Sequence, residues 1–444
     1  MMSGVSAEAI TVIMLGSVFL LFLLGVPVAF ALGGAAVVFG FLTIGPPSFT
    51  IIYTRIYSML LNYGLLAVPM FVFMGSVLER TGLARDFYNA LYLVLGRVPG
   101  GLAISTVLVG TALAAALGVI TASVAMLTIV ALPSLIAKGY SRSLATGTVC
   151  ASGCLGILIP PSVMLVVYGP MAELSVGRLF MGAIGPGLLL AALYCLYIMV
   201  RCTLRPDDAP KIPIEEAAVP LGFKLKQLAV SIVPVALLIL AVLGSIFFGI
   251  APPTQAAAVG AVGAVLLALA QRSLNLQALR HIMLTTLRTS AFVYVIGSMA
   301  VAFVGVFLVN GGGQVITNLL LQAPGDRWGA FGAIMLVVFV MGMFLNWLAI
   351  MFILIPLITP MAVLLQFDPI WFAIMVCLML QTGFLTPPMS MAIFICKGTA
   401  DPELGITLTH IIRGVVPYVA IILAALMLCI GFPDIISWLP QQMF

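Results

Sequence analysis

Apolar runs separated by short polar or Gly/Pro-containing breaks fill this chain, and several reach the roughly 20 residues a helix needs to cross a lipid core. Runs and breakers together predict spanning helices near 8–24, 27–43, 60–79, 178–201, 227–249, 254–271, 286–309 and 406–431. Two further apolar stretches, 143–171 and 369–396, are interrupted by Pro-Pro pairs. These lie in Gly156-Ile157-Leu158-Ile159-Pro160-Pro161-Ser162 and in Gly383-Phe384-Leu385-Thr386-Pro387-Pro388-Met389-Ser390. Proline has no N–H and its ring clashes with the preceding turn, so each pair ends one half-helix and lets a second begin. The segments 100–136 and 327–362 are each long enough for two short arms that enter and leave on one side, which predicts two re-entrant hairpins.

The two Pro-Pro pairs lie 227 positions apart, and the same offset carries Pro133 onto Pro360, Gly156 onto Gly383, Ala29 onto Ala256 and Gly33 onto Gly260. It also sets Gly25-Val26-Pro27 beside Pro252-Pro253-Thr254. A register shared by separate landmarks points to a duplication over roughly 8–170 and 235–396. Three units follow: a first repeat in 1–200, a linker in 201–226 and a second repeat in 227–444. The fold class is an all-α polytopic membrane protein built from inverted repeats, each with one hairpin and one broken helix.

Composition sharpens this picture. At 63% hydrophobic and 7% charged residues, the chain has more apolar surface than a soluble core requires. The first apolar run begins near Ile10 without a basic leader or a small-residue cleavage site, so it reads as a retained helix. With the N-terminus outside, one face collects Arg80, Arg85, Arg97, Lys138, Arg142, Arg201, Arg205, Lys211, Lys224, Lys226, Arg272, Arg280, Arg288, Lys397 and Arg413. The other keeps Arg55, Arg178 and Arg327. That asymmetry makes the first face cytoplasmic and puts both termini on the opposite side. It also makes the first hairpin open from the cytoplasm and the second from outside, as inversion demands.

The chemistry belongs where helices are broken. Irregular backbone at membrane depth strands N–H and C=O groups, which only protein or a water-lined cavity can satisfy. The half-helices that start after the Pro-Pro pairs, and the returning hairpin arms from about Ser123 and Asn346, would aim four positive dipole ends at one midplane site. Four such ends make an anion site without a buried arginine, and none is expected in the cavity.

The polar groups near the breaks are Thr121, Ser123, Ser152, Ser162, Asn346, Gln381, Thr382, Thr386 and Ser390, with Gly156, Pro160, Pro161, Pro387 and Pro388 shaping the backbone. All the polar ones are neutral donors or acceptors. Singly, such residues often only bond back to their own helix or glue helices together; their clustering at four breaks favours a site. No Asp or Glu falls at mid-depth, so coupling to Na⁺ through oxygen ligands is expected over coupling to protons, with backbone carbonyls near Thr121, Gly156, Asn346 and Gly383 as further ligands.

Other chemistries find little support. No Gly-x-x-x-x-Gly-Lys-Ser/Thr loop is present, which argues against direct ATP drive. The seven cysteines and two histidines show no metal-ligand pairing. Nothing points to nucleic acid, and no His or carboxylate cluster points to a membrane enzyme.

The stretch Leu155-Gly156-Ile157-Leu158-Ile159-Pro160-Pro161-Ser162, followed by Tyr168-Gly169 and Ser175-Val176-Gly177-Arg178-Leu179-Phe180, resembles the large membrane subunit of tripartite ATP-independent periplasmic (TRAP) transporters, the DctM-like family. The likeness extends through Gly185-Pro186-Gly187, Gly249-Ile250, Thr254-Gln255-Ala256-Ala257, Gly342-Met343-Phe344-Leu345-Asn346 and Thr386-Pro387-Pro388. The resemblance implies a bacterial inner-membrane permease working with a small four-helix membrane subunit and a periplasmic substrate-binding protein. It implies import of an organic acid, commonly a carboxylate, on a Na⁺ gradient, by an elevator in which hairpins and broken helices slide against a scaffold. It gives Thr121-Ala122-Ser123, Gly156 to Ser162 and Thr386 to Ser390 the places of ion-binding tip and clamshell breaks. A stand-alone anion exchanger or ion antiporter of the same fold is the alternative. On this reading Ser123→Ala and Asn346→Ala lower Na⁺-dependent uptake in reconstituted vesicles while membrane insertion stays normal; unchanged uptake removes both residues from the site.

Overall fold

In the computed structural model, residues 6–95, 98–118, 120–209 and 220–443 are described, and every long regular element among them is a helix. Arg97 and, within the predicted linker, residues 210–219 with Lys211 lie outside these residues. The chain opens with α1 (Ala7–Leu23), α2 (Val28–Thr43), α3 (Ser48–Leu60), α4 (Ala67–Arg80) and α5 (Leu83–Leu95). The first hairpin is α6 (Gly101–Leu117) and α7 (Ile120–Ala137), and the first broken helix is α8 (Arg142–Cys154) and α9 (Val163–Ala172). Then come α10 (Val176–Leu204), α11 (Leu221–Phe247), α12 (Pro253–Ala270), α13 (Leu276–Val309) and α14 (Gly312–Leu321). The second hairpin is α15 (Asp326–Phe344) and α16 (Trp347–Leu364), the second broken helix α17 (Pro369–Leu385) and α18 (Met391–Thr399), and α19 (Leu408–Gly431) and α20 (Asp434–Gln441) end the chain. Nine described helices are long and apolar enough to cross a membrane. The protein is a multi-pass membrane protein.

The predicted spans each meet a helix, with shifted ends. Four helices had no counterpart in the hydropathy reading: α3, α5, α14 and α20. Each has at most 13 residues, and α3 and α5 mix polar with apolar faces, so a search for apolar runs of membrane length passes over them. Helix α13 starts ten residues before the predicted 286 and runs for 34 residues. Helix also occupies both ends of the 201–226 segment, because α10 continues to Leu204 and α11 starts at Leu221.

Helix boundaries follow the 227-residue offset: α7 falls on α16 residue for residue, and Ser141, which caps α8 by accepting from the Leu144 N–H, falls on Asp368, which caps α17 through the Trp371 N–H. One difference between the halves lies at a junction. Where α3 and α4 are separated by a turn at Leu61 and Asn62, α13 is continuous.

The broken helices are the centre of the packing. Every residue of α8 from Leu144 to Cys154 and of α17 from Ile370 to Leu385 is buried, as expected of helices surrounded by protein on all sides. Lipid gives apolar side chains no hydrophobic drive to associate, so close backbone approach must do part of the work. At the α8–α19 crossing a Cβ on Gly147 would come within 2.2 Å of the Gly414 carbonyl oxygen, and at the α15–α17 crossing a Cβ on Gly383 would come within 2.6 Å of the Gly342 oxygen. Around this centre α2, α3, α4, α11, α12 and α13 form the outer wall, with Val259, Val262, Leu266 and Leu269 of α12 exposed along one lipid-facing stripe.

Polar contacts tie the loops at the basic end: Arg142 Nε donates to the Leu404 carbonyl at 3.1 Å, Lys397 Nζ to that of Ile406 at 2.7 Å, and Arg201 pairs with Asp208 at 2.9 Å. Gly147→Val should therefore lower the unfolding midpoint in detergent by the equivalent of about 1–3 kcal/mol, the usual cost of overpacking. Gly34→Ala, placed in open space inside α2, serves as the control and should leave it unchanged or raise it slightly, since alanine favours helix over glycine.

Candidate functional site

A cavity of about 360 Å³ lies where the tips and breaks come together. Four helices begin at its wall: Ile120 opens α7, Val163 opens α9, Trp347 opens α16 and Met391 opens α18, and all four residues line it. A helix start carries unpaired N–H groups and about half a positive charge. Ser162 and Ser390 precede α9 and α18 without making a side-chain cap, so those N–H groups keep their donor capacity. At α16 the Asn346 side chain caps Leu348 N at 2.9 Å.

The local sequence explains how these ends can meet. Gly118 has φ +61°, in the left-handed region, and a Cβ there would come within 3.1 Å of the Pro161 carbonyl oxygen, so glycine lets the first hairpin tip lie against the first break. The second tip is tied to its own break by the Met389 N–H donating to the Met343 carbonyl at 3.0 Å. Both Pro-Pro peptides are cis.

Of the candidate residues, Thr121 and Asn346 line the cavity. Ser123 is buried in the first turn of α7. Ser152 and Gly156 are buried in α8 and the turn after it, Pro160, Pro161 and Ser162 are buried beneath the first break, and Ser162 Oγ donates to the Ile157 carbonyl. Gln381 and Thr382 are buried in α17, and Thr382 bonds back to Met379 at 2.6 Å. Thr386 is half-buried and bonds back to Thr382, while Pro387 and Pro388 are exposed. The two breaks thus differ in exposure despite their shared register.

Three buried polar groups near the breaks make no hydrogen bond within the protein: Ser152 Oγ, both amide atoms of Gln381, and Ser390 Oγ. Buried polar atoms are rarely left unpaired, and these offer neutral oxygens of the kind a hard cation takes.

The residue that sequence reasoning missed is Arg288. It lines the cavity from α13, beside Thr289, Phe292 and Val293, and is the one charged residue in the described lining. This corrects the expectation of a cavity without arginine. Hydropathy put Arg288 at the entry of a helix starting near 286, as one more cytoplasmic charge. The longer α13 carries it up to the hairpin tips. The signal available was its place in the 227-residue register, since subtracting 227 gives Leu61, at the α3–α4 junction.

A polytopic helical protein whose interrupted helices enclose an internal cavity has the architecture of a membrane transporter. From residue 15 to 435 the chain matches the family described as the tripartite ATP-independent periplasmic transporter, DctM component. The chain belongs to that family, the large permease subunits of TRAP transporters. It is 32% identical over 405 residues to the C4-dicarboxylate TRAP transporter large permease protein DctM of Pseudomonas aeruginosa, covering 90% of this chain and 91% of that one. It is 29% identical over 434 residues to the sialic acid permease SiaM of Vibrio cholerae, covering 96% and 98%. The isethionate permease DctMQ of Oleidesulfovibrio alaskensis is 30% identical and is matched over 94% of this chain but 64% of its own length. Among solved structures the YdaH transporter of Alcanivorax borkumensis, described as having an unusual topology, aligns with a TM-score of 0.60 over 88% of this chain and 89% of that one, at 18% identity; that likeness speaks to the fold alone.

Orphaned polar groups cost the fold about 1–3 kcal/mol each when buried without partners. Gln381→Met, similar in volume, is expected to raise the unfolding midpoint in detergent without added salt, and a fall would mean that the amide has a partner within the protein.

Proposed function

We propose that this subunit imports a small carboxylate-bearing solute on a Na⁺ gradient. The convergence of four helix starts and Arg288 on one cavity carries the reading. Arginine binds a carboxylate in a two-pronged geometry that the dipole ends reinforce, and Phe292, Trp347 and Leu348 give the same cavity an apolar lining for the solute's carbon skeleton. The relatives named for C4-dicarboxylates and sialic acid fit the same solute chemistry.

The oxygens of Ser152, Gln381 and Ser390, with carbonyls freed at the ends of α8 and α17, would hold Na⁺. A cation bound there would favour the arrangement in which the tips accept an anion, coupling the two. The 227-residue register, in which hairpin matches hairpin and break matches break, supports inverted repeats with re-entrant hairpins. The burial of α8 and α17 inside an outer wall supports an elevator in which hairpins and broken helices move as one body. The charge asymmetry supports an inner-membrane orientation with both termini periplasmic. Membership in a tripartite family supports a periplasmic binding protein and a small membrane subunit as partners.

The test is uptake of a panel of labelled carboxylates, succinate among them, into vesicles holding this subunit with its two partners. Arg288→Gln should lower Na⁺-dependent uptake at least about tenfold, from the loss of about 1.5–3 kcal/mol for a hydrogen bond to a charged group. Arg288→Lys should recover part of it. Full uptake by Arg288→Gln at normal membrane yield would remove the anion assignment.

A further inference from the structure

A second, larger cavity of about 710 Å³ lies between the outer wall and the far ends of the same moving elements. Its wall side is α3 and the later half of α13, at Val301, Val304 and Leu308; its other side is the second half of α16 and the end of α9. Arg55, Ser58 and Met59 fall at i, i+3 and i+4 on one face of α3, Asn62 follows in the next turn, and all four line the space. Tyr53 and Tyr57, two positions either side of Arg55 and so on the opposite face, stack at 5.7 Å and are exposed. The aromatic face is the one suited to the membrane interface; the arginine faces the gap. Gly305 permits this, since a Cβ there would come within 2.8 Å of Arg55 Cγ, so the arginine's stem lies against α13.

The register relates the two cavities. Leu61 and Asn62, at the turn after α3, fall on Arg288 and Thr289, and the smaller cavity is built at that equivalent junction. Each half of the register therefore sets a cavity with an arginine near where its arm meets its span, one beside the middle of α13 and the other beside its C-terminal part. The hairpin tips line only the smaller one.

We propose that the larger cavity is a second anion station, in which Arg55 receives the solute's carboxylate on the extracytoplasmic side before it passes to the tips and Arg288. This rests on the importer reading above. Glu173, at the end of α9, lines the same cavity without forming an ion pair with Arg55, so it is a competing carboxylate that an incoming anion must overcome.

The experiment places a cysteine at Ser58 and compares labelling by two thiosulfonates of equal length, one sulfonate-bearing and one quaternary ammonium, added outside right-side-out vesicles. The described native cysteines are buried or half-buried. The anionic reagent should be favoured. Arg55→Gln should cut the anion-to-cation rate ratio about tenfold, Arg55→Lys should keep it, and Glu173→Gln should raise it. In the uptake assay, Arg55→Gln should raise the half-saturating concentration for entry while leaving the maximal rate near normal.

A ratio indifferent to Arg55→Gln, with Arg288→Gln still blocking uptake, overturns the station and leaves the importer reading standing. Anion preference in detergent that vanishes in the bilayer marks a lipid phosphate on Arg55 and overturns it too. Absence of carboxylate uptake by the native subunit with its partners overturns the importer reading, and the station's role in transport falls with it.

Discussion

A helix interrupted in the middle of a membrane has N–H and C=O groups that lipid cannot satisfy. That constraint organises this protein. The two interrupted helices are the most enclosed elements described, with α8 and α17 buried over nearly their whole length, and the hairpins, α10 and α19 are packed around them. The glycines at the α8–α19 and α15–α17 crossings follow from the same need, because backbones that must shield one another have to approach more closely than side chains allow.

The enclosure also concentrates charge. Four helix starts at one cavity would repel each other's positive ends if nothing negative joined them, so the geometry has a built-in demand for an anion. Arg288 enlarges that demand from α13, and not from the hairpins or broken helices themselves. Arg55 of α3 lines the larger cavity, farther along the same α13.

Much of this was written in the chain. The Pro-Pro pairs, their 227-residue spacing, the hairpins and the candidate residues Thr121 and Asn346 could be read from residue types alone, because proline, glycine and long apolar runs act locally. Residues such as Ser123, Gln381 and Ser390 were recognisable as polar groups near breaks. Whether each faces the cavity or lies beneath it depends on how two segments more than 200 positions apart meet.

The sequence by itself determined the membrane class, the 227-residue register of landmarks and the points at which helices must break, since these follow from length, periodicity and missing backbone donors. Only the tertiary structure decided that Arg288 reaches the tips, that the first Pro-Pro pair is buried while the second is exposed, and that Arg55 turns from the membrane toward a cavity. A charge beside an apolar run reads as an interfacial residue until the neighbouring helix is in place. Its role is set by what packs across from it, and that is a property of the folded chain.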